Sequence, residues 1–144
     1  MTRINVNIRP SLLCREHLLA EHREMKRIPN KVSKGKYSLD NIPPVFKLGS
    51  GHEKFFYNKL LYLKNRYESV YSECIKRNLN VTYYGNAWDG VPPSLMKDYT
   101  PTRKDRNILV ERINERILNM QEKHLEKNRF ESVKRLEKHI LTKL

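Results

Sequence analysis

Cysteine is scarce in this 144-residue sequence, and long apolar runs are missing. The two cysteines, Cys14 and Cys74, have a spacing that matches neither a metal site nor a redox motif, so we expect both to be buried as small apolar side chains. No apolar stretch approaches the length of a membrane span. The sequence does not begin with a charged segment followed by an apolar one, which is the pattern of a secretory signal. These absences predict a protein that remains in a reducing compartment inside the cell and does not enter a membrane.

Sequence patterns that bind common cofactors are also missing. The chain has no glycine-rich nucleotide loop, no Cys/His zinc set and no acidic cluster suited to magnesium. We therefore expect no metal and no cofactor, which disfavours a metal-dependent nuclease. Acidic residues number only 16 against 29 lysines and arginines, giving a net charge of +13. This excess of positive charge predicts a polyanionic partner, with nucleic acid as the first candidate.

The hydrophobic spacing predicts an all-α fold. Residues 2–8 alternate polar and apolar side chains but have no second strand to pair with, so we interpret them as an extended arm. A first helix is expected from a cap at Ser11 to about Ile28, ending before Pro29. Residues 29–50 are expected to form a basic loop, whose lysines either contact phosphates or are simply solvated.

The second predicted helix has the clearest apolar seam. It is expected to begin at a capping box formed by Ser50 and Glu53 and to end near Asn78. Apolar residues recur along it in steps of three and four, which is typical of a buried helix face. They are Phe56, Leu60, Leu63, Tyr67, Val70 and Cys74.

The remaining sequence predicts a long connection and a third helix. Residues 79–101 carry the single tryptophan, Trp88, which we expect to anchor the connection to the core although such loops also contact substrates. Thr102 and Asp105 form a second capping pair, and Val110, Ile113, Ile117 and Met120 follow as a seam. We expect a compact three-helix single domain over residues 1–144, monomeric, with residues 123–144 as a helical extension that offers a partner surface.

One face of the first helix is ionic. At about 100° per residue, six residues fall within roughly a third of the circumference. They are Glu16, His17, Ala20, Arg23, Glu24 and Arg27. A carboxylate between arginines suits an anionic substrate and proton transfer, but surface ion pairs explain the same pattern.

Motifs in the first two thirds of the chain are similar to those of a known family. They are Thr2-Arg3-Ile4-Asn5, His17-Leu18, Ala20-Glu21, Arg23-Glu24 with Arg27, Phe46-x-Leu48-Gly49-x-Gly51-His52-x-x-Phe55-Phe56-Tyr57-x-Lys59, and Asp98-Tyr99-x-Pro101. With these residues the chain resembles the phage endonuclease V family of pyrimidine-dimer DNA glycosylases and abasic-site lyases. The matching order extends from residue 2 to about residue 117.

The resemblance implies an all-α fold with an N-terminal arm threaded between three helices. It implies that the free α-amine of Thr2, exposed by removal of Met1, attacks the sugar and forms an imine, and that Glu24 is the catalytic carboxylate. The partner implied is double-stranded damaged DNA, in the host cytoplasm of a virus-infected cell. Further DNA-binding residues implied by the match are Arg3, His17, Arg23 and Arg27, and Arg112 and Arg116 occupy third-helix positions that extend the DNA track.

The chain departs from the family pattern at three places. Glu16 stands where the family often has glutamine, the loop between the first two helices is shorter, and the aromatic tail of the dimer-specific members is replaced by the charged segment from Lys123 to Leu144. Pyrimidine dimers are therefore the leading substrate, with another modified base or a plain abasic site as the alternative. A non-catalytic basic protein that binds nucleic acid on the same scaffold, and a helical interaction protein, are the other hypotheses.

Overall fold

The computed structural model describes residues 2–119 and 121–123. These residues contain helices and no strand, which confirms the all-α class. The arm pairs with no strand, as expected, but only residues 2–5 are without a turn, because Asn7 adopts a positive φ of 55° and the Ile8 N–H donates to the Asn5 carbonyl. The helices are α1 (Arg15–Glu24), α2 (Arg27–Ser33), α3 (His52–Phe55), α4 (Leu60–Lys76) and α5 (103–119). Short 3₁₀ turns occur at Pro10–Leu12, Gly85–Trp88 and Pro93–Leu95.

Internal contacts group the chain into two units, Met1–Asn107 and Ile108–Leu144. The first unit contains α1 to α4. The expected single domain stays a prediction. The expected helical extension lies outside the described residues beyond residue 123, together with the apolar residues spaced along it, Val133, Leu136, Ile140 and Leu144, and Met120 of the third seam is also outside them. No helix of the described part is both long and apolar enough to cross a membrane.

The first predicted helix is divided into α1 and α2, so its expected end before Pro29 is wrong. A continuous helix would need an N–H at Pro29 to reach the Met25 carbonyl, and proline has none. By starting a new helix at Arg27, the chain places Pro29 in a first turn, where backbone N–H groups have no partner within the helix. The expected cap Ser11 lies in the preceding 3₁₀ turn, and Cys14 occupies the position before α1.

The second predicted helix is likewise divided, into α3 and α4. Gly51, with φ of 88°, precedes α3 in place of a Ser50–Glu53 capping box, so that prediction is wrong. Lys59 interrupts the helical path between the two helices, and its ammonium donates hydrogen bonds to the Phe55 carbonyl and the Asn58 side chain at 2.8 and 2.9 Å. The consecutive rings of Phe55 and Phe56, at the end of α3, are both buried.

The predicted apolar seam forms the core of the first unit. Its six members, Phe56, Leu60, Leu63, Tyr67, Val70 and Cys74, are fully buried. Trp88 is buried beside them, and its indole N–H donates to the Leu60 carbonyl at 3.0 Å, which confirms it as an anchor of the long connection. Cys14 is only half-buried, in contrast to the expectation for it.

The capping pair expected before the third helix is present. The backbone N–H of Asp105 donates to the Thr102 hydroxyl at 3.1 Å, and the Thr102 N–H donates to the Asp105 carboxylate at 3.1 Å. Each side chain satisfies a backbone donor that the helix leaves without a partner. The local sequence therefore fixes where α5 begins.

A buried ion pair holds the N-terminal arm in place. Arg66 on α4 donates to both carboxylate oxygens of Glu21 on α1, at 2.8 and 2.9 Å, and also to the Ile8 carbonyl. Asn5 donates to the same carboxylate through its backbone N–H at 3.3 Å and its side chain at 2.8 Å. Burial alone would lower the pKa of Arg66, but the adjacent Glu21 carboxylate outweighs burial and raises it. The arm is thus tied to α1 and α4 by one fully buried carboxylate.

Replacing Glu21 with glutamine should destabilise the fold strongly. The variant leaves the Arg66 charge buried without its counter-ion, a change that costs about 3–5 kcal/mol in comparable sites. The free energy of unfolding in urea measures this loss. Glu115→Gln, which removes an exposed carboxylate 3.9 Å from Arg112, is the matched control and should change it by less than about 1 kcal/mol. Equal stability of the two variants would contradict the assigned role of Glu21.

Candidate active site at the N-terminal arm

The loop before α3 holds His52 against the arm. Its sharp turns depend on Gly49 and Gly51, whose φ angles of 72° and 88° are rarely adopted by other residues. The His52 Nδ1 donates to the Lys47 carbonyl at 2.8 Å, and its Nε2 accepts from the Ile4 N–H at 2.8 Å. Burial lowers the pKa of His52, against the bond to Lys47, so the neutral ring that this geometry requires is favoured. His52 therefore fixes the arm two residues after Thr2.

Thr2 lies at an open cavity of about 530 Å³. This volume is within the range of small-ligand sites. Thr2 itself is only 4% exposed, with Met1 outside the described residues. The cavity is lined by Thr2, Asn41, Pro43, Lys47, Gly49, Ser50, Gly51, His52, Glu53, Lys54 and Tyr57. The arm thus brings the expected nucleophilic position to a hollow large enough for a ligand.

An ion pair between α2 and α3 borders this cavity. The Lys31 ammonium lies 2.5 Å from a Glu53 carboxylate oxygen. Burial raises the pKa of Glu53, but the bond from Lys31, the nearby Thr2 hydroxyl and the charge of Arg27 together lower it. Glu53 is therefore a carboxylate close to Thr2. The sequence had suggested it only as a helix cap, because it stands at an unspecified position of the matched motif.

Two of the predicted arginines lie close to this group of residues. The charge of Arg27 acts on Glu53, and the charge of Arg3 helps to lower the pKa of His52. Arg23 is on the exposed side of α1, with 61% of its side chain accessible, and lies 3.7 Å from Glu24. The arginines thus extend from the buried arm to the surface.

Glu24 and His17 are placed on α1, and neither lines the cavity. The Glu24 side chain is 15% exposed and its ion pair is with the neighbouring Arg23. His17 is half-buried one helical turn after Cys14. Their roles in catalysis and DNA binding stay predictions.

Arg112 and Arg116 lie on α5 within the second unit and are exposed. Arg112 is paired with Glu115 at 3.9 Å, a weak contact for two side chains that are both more than half accessible. Their participation in a DNA track also stays a prediction.

Aromatic side chains of the long connection contact lysines and the core. The Lys26 ammonium lies 3.6 Å from the centre of the Tyr84 ring, and the Tyr84 N–H donates to the Tyr67 hydroxyl at 2.6 Å. Tyr67 in turn is hydrogen-bonded to His22 at 3.2 Å. These contacts assign Tyr84 a packing role, like the one that the sequence had favoured for Trp88 in the same connection.

Among the described residues, no three His, Cys, Asp or Glu side chains converge into a group that could hold a metal ion. The functional groups gathered at the arm are instead a threonine, carboxylates and cationic side chains.

Comparison with protein families identifies the same region. The model of the pyrimidine dimer DNA glycosylase family matches residues 1–84, which is more than half of the chain and includes the arm, α1 to α4 and the cavity at Thr2. Enzymes of this description remove damaged bases, which agrees with the strong positive charge of the sequence. The chain therefore belongs to the pyrimidine dimer DNA glycosylase family and is a DNA repair glycosylase that binds damaged DNA.

Proposed function

We propose that this protein removes ultraviolet pyrimidine dimers from duplex DNA and then cleaves the strand as an abasic-site lyase, through an imine on the Thr2 amine. The observation that carries the proposal is the position of Thr2. The arm is fixed by the Glu21 carboxylate and by His52, and it ends at a cavity bordered by cationic side chains. A terminal amine held there is a nucleophile in a preorganised position.

The proposed nucleophile requires removal of Met1. An α-amine titrates near 7.7–8.0 whereas lysine titrates near 10.4, so much more of the terminal amine is neutral at physiological pH. The positive charges of Arg3 and Arg27 favour its neutral form further. The Thr2 amine freed by removal of Met1 is thus better suited than a typical lysine to act as a nucleophile near neutrality.

The reaction then proceeds through one covalent intermediate. The amine nitrogen bonds to C1′ of the damaged nucleotide while the bond from C1′ to the base breaks, and the base leaves with a proton. Opening of the sugar gives an imine, which acidifies the C2′ proton. Loss of that proton breaks the bond between C3′ and its oxygen, releasing the 3′ phosphate, and water hydrolyses the imine. Glu24 is the proposed proton carrier for base loss and elimination.

The substrate nucleotide must leave the DNA stack to react at this position. Thr2 is buried within the protein surface, so C1′ of an ordinary base-paired nucleotide would not reach it. Enzymes that act on nucleotides within duplexes solve this problem by extrusion and bending of the DNA. Arg23 on α1 and Arg27 on α2 are exposed, and in the proposed complex they bind phosphates of the bent duplex.

Borohydride trapping tests the imine. With Met1 removed, the protein should form a permanent bond to irradiated and to abasic duplexes, because borohydride reduces the imine. Acetylation of the Thr2 amine should abolish trapping while leaving DNA affinity measurable. Trapping on abasic DNA but not on irradiated DNA would show that pyrimidine dimers are not the substrate and that the enzyme acts on another lesion. Absence of trapping with a free Thr2, together with tight DNA binding, would favour the non-catalytic binding protein.

Glu24→Gln should slow strand cleavage by about 10²- to 10⁴-fold, the range of general acid–base catalysis, because the amide cannot carry a proton. DNA affinity should stay within about threefold of the parent protein. Single-turnover cleavage and equilibrium binding measure the two effects. Glu68→Gln, on the exposed Lys64 ion pair of α4, is the control and should cleave normally. Parent-like cleavage by the Glu24 variant would reject its assignment.

Arg23→Ala and Arg27→Ala should each weaken DNA binding and reduce the slope of log affinity against log salt by about one, since each loses one phosphate contact. Binding measured at several salt concentrations gives the slope. Lys76→Ala, at the end of α4 beside Glu73, serves as a control of equal charge change. Unchanged slopes for both arginine variants would place the DNA-binding surface elsewhere.

A further inference from the structure

Glu53 has no assigned role, yet it is the carboxylate of the cavity at Thr2. Its side chain and Thr2 both line that cavity, whereas Glu24 does not. The Thr2 hydroxyl oxygen is buried and makes no hydrogen bond of normal length and angle with any described residue. The hydroxyl is nevertheless close enough to Glu53 to affect its ionisation. A negative charge therefore lies within a few ångströms of the residue that carries the proposed nucleophile.

Lys31 reduces the electrostatic effect of the Glu53 carboxylate on Thr2. Its ammonium, 2.5 Å from the carboxylate, partly neutralises Glu53 and restricts its orientation. The bond to Glu53 raises the pKa of Lys31, so both partners are charged near neutrality. The remaining groups that face the pair or line the cavity are Arg3 in the arm, Arg27 on α2, Lys47 in the loop, and His52, Lys54 and Tyr57 in and after α3.

Most of these neighbours are cationic, and alone they would drive the terminal amine to its neutral form. We propose that Glu53, held by Lys31, is a positioning residue that orients the Thr2 amine and sets the balance between its neutral and protonated forms. The inference rests on the proposed function, since it concerns the amine that forms the imine. The carboxylate opposes the surrounding cations and accepts a hydrogen bond from the amine, which aims the nitrogen at the cavity. The same negative charge stabilises the cationic iminium once it forms.

A purely structural role for the ion pair makes a different prediction. Lys31 and Glu53 join α2 to α3, so either substitution removes the same contact. If the contact only braced the helices, the two variants would behave alike. If its charges act on the amine, the variants have opposite effects, because one loses a negative charge and the other a positive one.

Glu53→Gln should lower the pKa of the Thr2 amine by about half a unit to one unit, and Lys31→Gln should raise it by a similar amount. The ¹³C chemical shifts of Thr2 in threonine-labelled, Met1-processed protein follow this titration without requiring activity. The acid limb of the pH profile for cleavage of abasic duplexes should move in the same directions. Lys64→Gln and Glu68→Gln, which break an ion pair on α4, are controls and should leave the titration unchanged.

Two measurements separate this inference from the proposed function. Shifts of the Thr2 titration in the same direction for both variants, or no shift in either, would overturn the role of Glu53 even if the parent protein cleaves abasic DNA. A parent protein that has a free Thr2 and neither cleaves nor is trapped would overturn the imine mechanism, whatever the titration shows. Opposite shifts in the titration and in the cleavage profile support both.

Discussion

The buried carboxylate of Glu21 is the constraint on which the rest of the structure depends. It accepts hydrogen bonds from Arg66 on α4 and from Asn5 in the arm, so one charged group joins three segments that are distant in sequence. A buried ion pair of this kind adds little net stability compared with an apolar core, but breaking it is costly. Its effect is to specify one path for the arm between the helices.

That path determines the chemistry available at the end of the arm. The first residues of the arm, up to the turn in which the Ile8 N–H donates to the Asn5 carbonyl at 3.4 Å, make no backbone hydrogen bonds to one another, so the surrounding protein must satisfy their backbone groups where they are buried. The Glu21 carboxylate and the neutral ring of His52 provide this for Asn5 and Ile4. Thr2 is consequently held at the cavity by bonds to two residues that follow it in the arm, Ile4 and Asn5, and the proposed reaction uses its backbone nitrogen once Met1 is removed.

The two acidic side chains with a role in the proposed reaction, Glu24 and Glu53, occupy different surroundings. Glu24 lies beside Arg23 at the end of α1, near the exposed arginines suited to phosphate. Glu53 lies in the cavity, paired with Lys31. Proton transfer and control of the charge on the amine place conflicting demands on a single carboxylate, because one requires gain and loss of a proton and the other a constant negative charge. In the proposed mechanism, two carboxylates in separate environments divide these demands between them.

Periodicity and local chemistry in the sequence by themselves determined the all-α class, the buried seam of α4 and the start of α5 at Thr102 and Asp105, because these depend on neighbours within one or two helical turns. The matched motifs also pointed to Thr2, although the reason for its position was not visible. Only the tertiary structure decided that Pro29 lies in the first turn of a helix instead of after the end of one, that Glu53 borders the cavity, and that Glu21 is buried. Glu21 and Arg66 are separated by 45 positions, and each is a charged residue of the kind that usually lies on the exposed face of a helix. Burial and pairing of charge are properties of segments brought together by folding, so no local pattern could reveal them.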